Sequence, residues 1–266
     1  MHTAPVRRTV LAACALSLAL TVTACGADKA DGTAGREPSA GAPAASVSPT
    51  APTAPPAQGR TDAELSGLLV TQTDLPDHIL KPADPQDVAD VAGSTSDNPA
   101  CLPVLQAMTW TPVGKPVGTA RLVSAAKPKP AAGNATEEDK ARAAEAALGT
   151  TFTAVSLYSY DGNGAQEAFR SLDDAGLACE RGFRPSRGGR ELGSTTVAVS
   201  TRVTAGDEAL AYTVATYDES TQAGRNSTQL VVVRKANTLA VFYAQSLSTT
   251  AEQPKAVIAA QAGKLG

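Results

Sequence analysis

The chain has 266 residues, a formal charge of −3 and only 4% aromatic residues. An acidic balance with few aromatics excludes nucleic acid as a partner, because that needs a basic patch and stacking platforms. Two histidines and four cysteines leave little material for metal chemistry.

At the N-terminus, Arg7 and Arg8 precede an apolar run from Thr9 to Ala24, ending in Val22-Thr23-Ala24 before Cys25. A basic start, an apolar middle and small residues before a break make residues 1–24 a secretory signal peptide. The run falls short of the ~20 residues that span a bilayer. Val22-Thr23-Ala24-Cys25 resembles the lipobox of bacterial lipoproteins. In that family the cysteine receives a diacylglycerol, the signal is cut off and the new N-terminus is acylated. The resemblance implies lipidation at Cys25 and a protein held by its N-terminal lipid on the extracytoplasmic face of the cell membrane. Leu11-Ala12-Ala13-Cys14 reads the same way but lies too close to Arg8 for an apolar core of roughly 7–15 residues. A plain secretory signal cut near the same place is the alternative. Arg7-Arg8 also fits a twin-arginine export signal, without the rest of that motif.

Residues 25–60 read as a tether. Ala, Pro, Gly, Ser and Thr dominate, with Pro38, Pro43, Pro49, Pro52, Pro55 and Pro56, and Leu, Ile and aromatics are absent. Such a segment buries too little apolar surface to offset its ordering entropy. As a coil it spans roughly 30–40 Å.

The folded part is expected over 61–266 as one domain. Thr61 and Glu64 form a capping box ahead of Leu65, Leu68 and Leu69. Asp74-Leu75-Pro76 turns the chain, and Cys101 to Met108 reads as a short helix carrying Leu102, Leu105 and Met108. Thr119–Ala126 is a strand, Lys127 to Asn134 a proline-broken loop, and Thr136–Leu148 an exposed helix with Glu137, Glu138 and Asp139 at its dipole-favoured end. Phe152–Tyr160 is a strand. Asn163 and Gln166 open a helix whose Ala165, Phe169, Leu172 and Gly176 share one face. Thr195–Val203, Ala209–Tyr217, Thr228–Arg234 and Thr238–Gln245 are β-branched strands with short connections, the pattern of antiparallel hairpins. A last helix, Thr250–Leu265, is capped by Thr250 and Gln253 and turns Val257, Ile258 and Leu265 inward. Helices flanking an antiparallel β-sheet make an α+β fold.

With Cys14 in the signal and Cys25 the lipid site, Cys101 and Cys179 remain as an even pair in an oxidising compartment, and they read as a disulfide. Two free thiols or a metal site are the alternatives; two cysteines without nearby histidines do not make a zinc site. No metal and no cofactor are expected.

Catalytic motifs are scarce. His78 is the only histidine beyond the signal. A Ser-His-Asp triad would have to use it, yet no G-x-S-x-G elbow supplies the serine, and H-E-x-x-H is absent. His78 therefore reads as a surface residue. Ser124-Ala125-Ala126-Lys127 matches the S-x-x-K of penicillin-recognising enzymes and Ser96-Asp97-Asn98 their S-D-N. The order is reversed, no K-T-G follows, and Pro128 disfavours a helix at Lys127. Asp161-Gly162-Asn163-Gly164 starts like a calcium loop without its later ligands, and reads as a strand-to-helix turn capped by Asn163. Trp110, the only tryptophan, reads as core packing.

From Leu68 onward the order of elements resembles actinobacterial lipoproteins related to the extracytoplasmic sensor domain of PknH-type serine/threonine kinases. The matching pieces are Thr73-Asp74-Leu75-Pro76, Cys101-Leu102-Pro103, Ser156-Leu157-Tyr158-Ser159-Tyr160, the helix ending at Cys179-Glu180, Gly206-Asp207-Glu208-Ala209 and a late hairpin. The resemblance implies a bent antiparallel sheet around a cleft and an extracellular ligand of unknown identity. Those sensors carry more than one disulfide and this chain has cysteines for one, so no ligand-binding residue carries over. The resulting expectation is a membrane-anchored, non-catalytic binding domain with no catalytic residue. Its partner would be an unknown extracellular ligand or envelope protein. The alternatives are an extracytoplasmic enzyme of unrecognised type and a cell-envelope scaffold.

Overall fold

The computed structural model describes residues 57–128, 133–134, 136–217, 225–246 and 250–266. Cys25, the signal over 1–24 and the tether as far as residue 56 lie outside them. The described residues belong to one compact unit.

Helix α1 (Asp62–Leu68) starts at the expected capping box: the Thr61 hydroxyl accepts the Glu64 N–H, and the Glu64 carboxylate accepts the Thr61 N–H at 2.7 Å. Strand β1 (His78–Pro82), helix α2 (Pro85–Val91) and the two-residue strand β2 (Thr95–Ser96) follow. A 3₁₀ turn, Pro99–Cys101, runs into α3 (Leu102–Met108). Then come β3 (Gly118–Ala126), α4 (Glu137–Leu148), β4 (Phe152–Ser159) and α5 (Gly164–Ala178). The chain continues through β5 (Pro185–Arg187), β6 (Arg190–Glu191) and β7 (Ser194–Val199). It closes with β8 (Glu208–Tyr217), β9 (Arg225–Lys235), β10 (Thr238–Gln245) and α6 (Lys255–Leu265).

Seven strands form one sheet in the order β1-β3-β4-β10-β9-β8-β7, and β2-β5-β6 form a small second sheet. Every neighbouring pair is antiparallel. The fold is α+β, as the strand and helix pattern predicts. Both faces of the large sheet are covered. Tyr158, Leu239, Val241, Leu230 and Val232 pack with Leu105 of α3 and Phe169 and Leu172 of α5. Val155, Leu157, Ala240, Phe242 and Val231 pack with Leu65 of α1 and Val257, Ile258 and Leu265 of α6. This is why Leu230-Val231-Val232-Val233 is an unbroken apolar run: all four are fully buried. Each such side chain contributes roughly 1.5–3 kcal/mol through burial.

Cys101 and Cys179 are joined, with S–S 2.04 Å and Cα–Cα 5.6 Å, both fully buried. The bond ties the start of α3 to the end of α5. The residues just before α1 also lie against the domain. Gly162 N–H donates to Ala57 O at 2.8 Å, Gly59 N–H to Asp161 Oδ1 at 2.8 Å, and Arg60 N–H to Ser159 Oγ at 2.9 Å. That crossing needs glycine at position 118, where a Cβ would collide with the backbone of Arg60, Thr61 and Asp62.

Several elements differ from expectation. β1, α2 and the second sheet carry too little periodicity to be foreseen. The last helix starts at Lys255 rather than Thr250, with Pro254 at its N-cap and no side-chain cap. The stretch before it is held by neighbours instead: Ala251 N–H donates to Ser227 O, Glu252 N–H to Thr151 Oγ1, and Gln253 Nε2 to Thr201 O at 2.9 Å. Asn163 occupies the N-cap of α5, but its side chain makes no capping bond. Of the apolar residues the sequence places on α3, Leu105 is buried and Leu102 is 36% exposed. Gln261, not foreseen as a core residue, is fully buried on α6. It accepts from Val70 N–H at 3.1 Å and donates to Leu68 O at 2.8 Å, clamping the end of α1.

Candidate functional site

The site with the most unmet chemistry lies where the edge of the large sheet meets the start of α6. Antiparallel register builds it. His78 opens β1 opposite Ala126, and Ser124 on β3 faces Thr153 on β4. Positions 124 and 126 share a face by the two-residue strand period, and this is the face that α6 covers. Gly149, Thr150 and Thr151 lead into β4 along one wall, and Thr250 to Val257 form the other. They line a half-open pocket of about 390 Å³, within the range of small-molecule sites.

Its lining is polar in an uncommon way. Ser124 is 1% exposed and its Oγ has no hydrogen-bond partner among the described residues; the buried Nδ1 of His78 has none among them either. Leaving such a group unpaired costs about 1–3 kcal/mol, and each case calls for a specific explanation. The start of α6 adds two more unmet donors. Lys255 N–H reaches Gln253 O at 2.8 Å, and Ile258 N–H closes the first helical bond on Pro254 O at 3.0 Å. Between them, the N–H groups of Ala256 and Val257 have no acceptor among the described residues. First-turn N–H groups are normally met by a cap, and Pro254 provides none. Two charged residues line the pocket, Glu252 and Lys255, and both are exposed without an ion pair among the described residues.

On the other face of the sheet, Trp110 anchors a second polar cluster. Its backbone has φ +59°, a costly region for a bulky residue. Its carbonyl accepts from Tyr158 Oη at 2.9 Å and from the Arg121 guanidinium at 3.1 Å, and Arg121 lies 5.5 Å from the Tyr158 ring centroid. Tyr160 Oη donates to Val113 O at 2.7 Å, and burial pushes its hydroxyl above the usual tyrosine range, with Tyr158 adding to the effect. These contacts hold the chain after α3 in place. Trp110 is half-buried, with its backbone rather than its ring engaged.

The residues singled out in the sequence are thus redistributed. Ser124 sits near the end of β3, and Lys127 Nζ donates to Pro76 O at 2.6 Å. Ser96 belongs to the other sheet, so the S-x-x-K and S-D-N pieces do not form one site. Asp161 is engaged by Gly59 N–H, and Gly162 takes φ +55° in a turn. His78 and Ser124, set aside separately, line one pocket. Thr153 and the α6 N–H groups carried no motif at all. Among the described residues no group of three His, Cys, Asp or Glu could hold a metal ion, and no helix is long and apolar enough to cross a membrane.

No protein-family model matches the chain, and no curated protein does. Among solved structures, the chain is similar to the extracellular domain of PknH from Mycobacterium tuberculosis. The two are 11% identical, the match covers 78% of this chain and 97% of that chain, and the TM-score is 0.46. That likeness is distant and assigns no residue a role.

Proposed function

We propose that this protein is a membrane-anchored lipoprotein, lipidated at Cys25, whose domain binds a small extracytoplasmic ligand without transforming it. The anchor rests on the lipobox at Val22-Thr23-Ala24-Cys25. The extracytoplasmic setting is supported by the Cys101–Cys179 bond, since disulfides persist in oxidising compartments. The observation that carries the binding reading is the pocket itself. Ser124, His78, Ala256 and Val257 all line it, and the Ser124 Oγ, the His78 Nδ1 and the N–H groups of Ala256 and Val257 have no protein partner among the described residues.

A second reading is favoured by one fact: a serine and the one histidine of the domain line the same pocket, as a nucleophile and base would. Against it, among the described residues Ser124 Oγ has no partner, so His78 does not hold its proton, and none of them orients the imidazole through Nδ1.

Two experiments test the proposal. Cys25→Ala should release the protein from membranes or leave an unprocessed precursor; a variant that stays acylated and membrane-bound removes the anchor. The chain from Thr53 onward should be screened against cell-wall fragments, lipids, esters and glycosides. Binding shows as a concentration-dependent rise in melting temperature. Turnover of an ester that Ser124→Ala abolishes would establish the enzyme instead.

A further inference from the structure

We infer that the pocket between β1, β3, β4 and α6 recognises a small monocarboxylate, with the carboxylate seated on the Ala256 and Val257 N–H groups and Ser124 at the floor. The inference deepens the binding reading and rests on it. Three independent observations converge. The 11-residue helix α6 presents two first-turn N–H groups that no side chain caps, and such a terminus carries about half a positive charge. Ser124, 1% exposed, lines the same pocket and carries a hydroxyl with no partner among the described residues. His78 Nδ1 is a third unmatched polar atom in the same lining.

The charge balance selects the ligand class. Lys255 and Glu252 offset one another, leaving the helix terminus as the net field. A single negative charge suits that field; a dianionic phosphate would be under-compensated and would face Glu252. The remaining wall is hydroxyl-rich, from Thr150, Thr151, Thr153 and Thr250. It fits a ligand body with hydroxyl or amide groups rather than an acyl chain. At about 390 Å³ the pocket accommodates a molecule of amino-acid or hydroxy-acid size.

The test titrates the isotope-labelled chain from Thr53 onward with N-acetylglycine, L-lactate, the uncharged N-acetylglycinamide and inorganic phosphate, following the Ala256 and Val257 amides by NMR. A monocarboxylate should shift both amides saturably, and the uncharged amide should leave them unmoved. Ala256→Asp provides the discriminating variant. Ala256 is exposed in the first turn of α6. An acidic side chain there favours the helix, so the melting temperature should hold or rise. Carboxylate affinity should nevertheless fall about tenfold or more, the loss of about 1.4 kcal/mol. Ser124→Ala should weaken binding several-fold with no loss of melting temperature, because it removes an unsatisfied hydroxyl.

Equal shifts from N-acetylglycinamide, tighter binding of phosphate, or unchanged affinity in Ala256→Asp would overturn the inference. So would no shift of these amides by either monocarboxylate at about 10 mM, a level that detects millimolar binding. Unchanged affinity in Ser124→Ala would assign that hydroxyl to an ordered water and overturn its place in the site. Ligand binding elsewhere on the domain would leave the binding reading intact and sink only this one. Turnover of a probe would sink the binding reading itself.

Discussion

Opening the disulfide should cost this domain a large share of its stability. Cys101 and Cys179 are 78 residues apart. In the chain-entropy account, closing a loop of that length removes about 4.5 kcal/mol of unfolded-state freedom at 25 °C. Domains hold about 5–15 kcal/mol in total. For a chain of this size each kcal/mol moves the melting temperature by roughly 2–4 °C, so the loss amounts to about 9–18 °C. Alanine is the better probe than serine: both sites are fully buried, and a stranded hydroxyl adds about 1–3 kcal/mol that has nothing to do with the loop. Either single variant opens the same loop, so the double variant should lose little more than each single one, a strong departure from additivity. Urea unfolding followed by far-ultraviolet circular dichroism and Trp110 fluorescence gives the free energies. A loss below about 1 kcal/mol would refute the entropic reasoning, because the predicted effect is several times larger. A kinetic check is independent of that account. With both sulfurs sealed from solvent, reductant should act no faster than the domain unfolds; rapid reduction proportional to reductant concentration would contradict the burial.

Gln261→Leu should destabilise by about 1–3 kcal/mol in urea unfolding, because Val70 N–H and Leu68 O lose their buried partner; a neutral result would show that water replaces the amide. Ala236→Gly should stabilise by about 0.5–1 kcal/mol, since alanine stands at φ +49° in the two-residue β9–β10 turn and the left-handed penalty exceeds the entropy glycine adds; a loss on thermal denaturation would contradict that. Asp207 is held below the usual carboxylate range, first by the Ala236 N–H and then by Lys235 and Arg234. A depressed acid stabilises the fold above its unfolded pKa and loses that contribution as pH falls through the folded one. Asp207→Asn should therefore be less stable than the parent at neutral pH. The gap should close on acidification below about pH 3.9, the ordinary aspartate value; a gap independent of pH would assign the effect to packing.

Elements with a strong local signal were legible. The Thr61–Glu64 box follows from capping chemistry, and the α5 face of Ala165, Phe169, Leu172 and Gly176 and the alternation along Thr238–Gln245 follow from periods of 3.6 and 2. The cysteine pair followed from counting. What failed depends on contacts between distant segments. Thr250 and Gln253 look like a helix start, but Glu252 N–H is taken by Thr151 Oγ1 and the Gln253 side chain by Thr201 O, so the helix begins at Lys255. Gln261 looks like a solvent-facing residue between Ile258 and Leu265, and only the neighbouring end of α1 makes it a core residue.

The pocket was hidden for the same reason, carried one step further. A motif search asks whether reactive residues stand at a fixed spacing along the chain. Here the spacing is set by sheet register: His78 meets Ala126 across β1–β3, and Ser124 meets Thr153 across β3–β4. The donors that complete the lining are backbone N–H groups, uncapped because Pro254 rather than a serine or aspartate stands before Lys255. No side-chain pattern can announce them. The strands Thr119–Ala126 and Phe152–Tyr160 are legible in the sequence. Pairing them in register would have placed Ser124 beside Thr153, and a penicillin-type motif dismissed for its order would have become a buried hydroxyl in need of a partner.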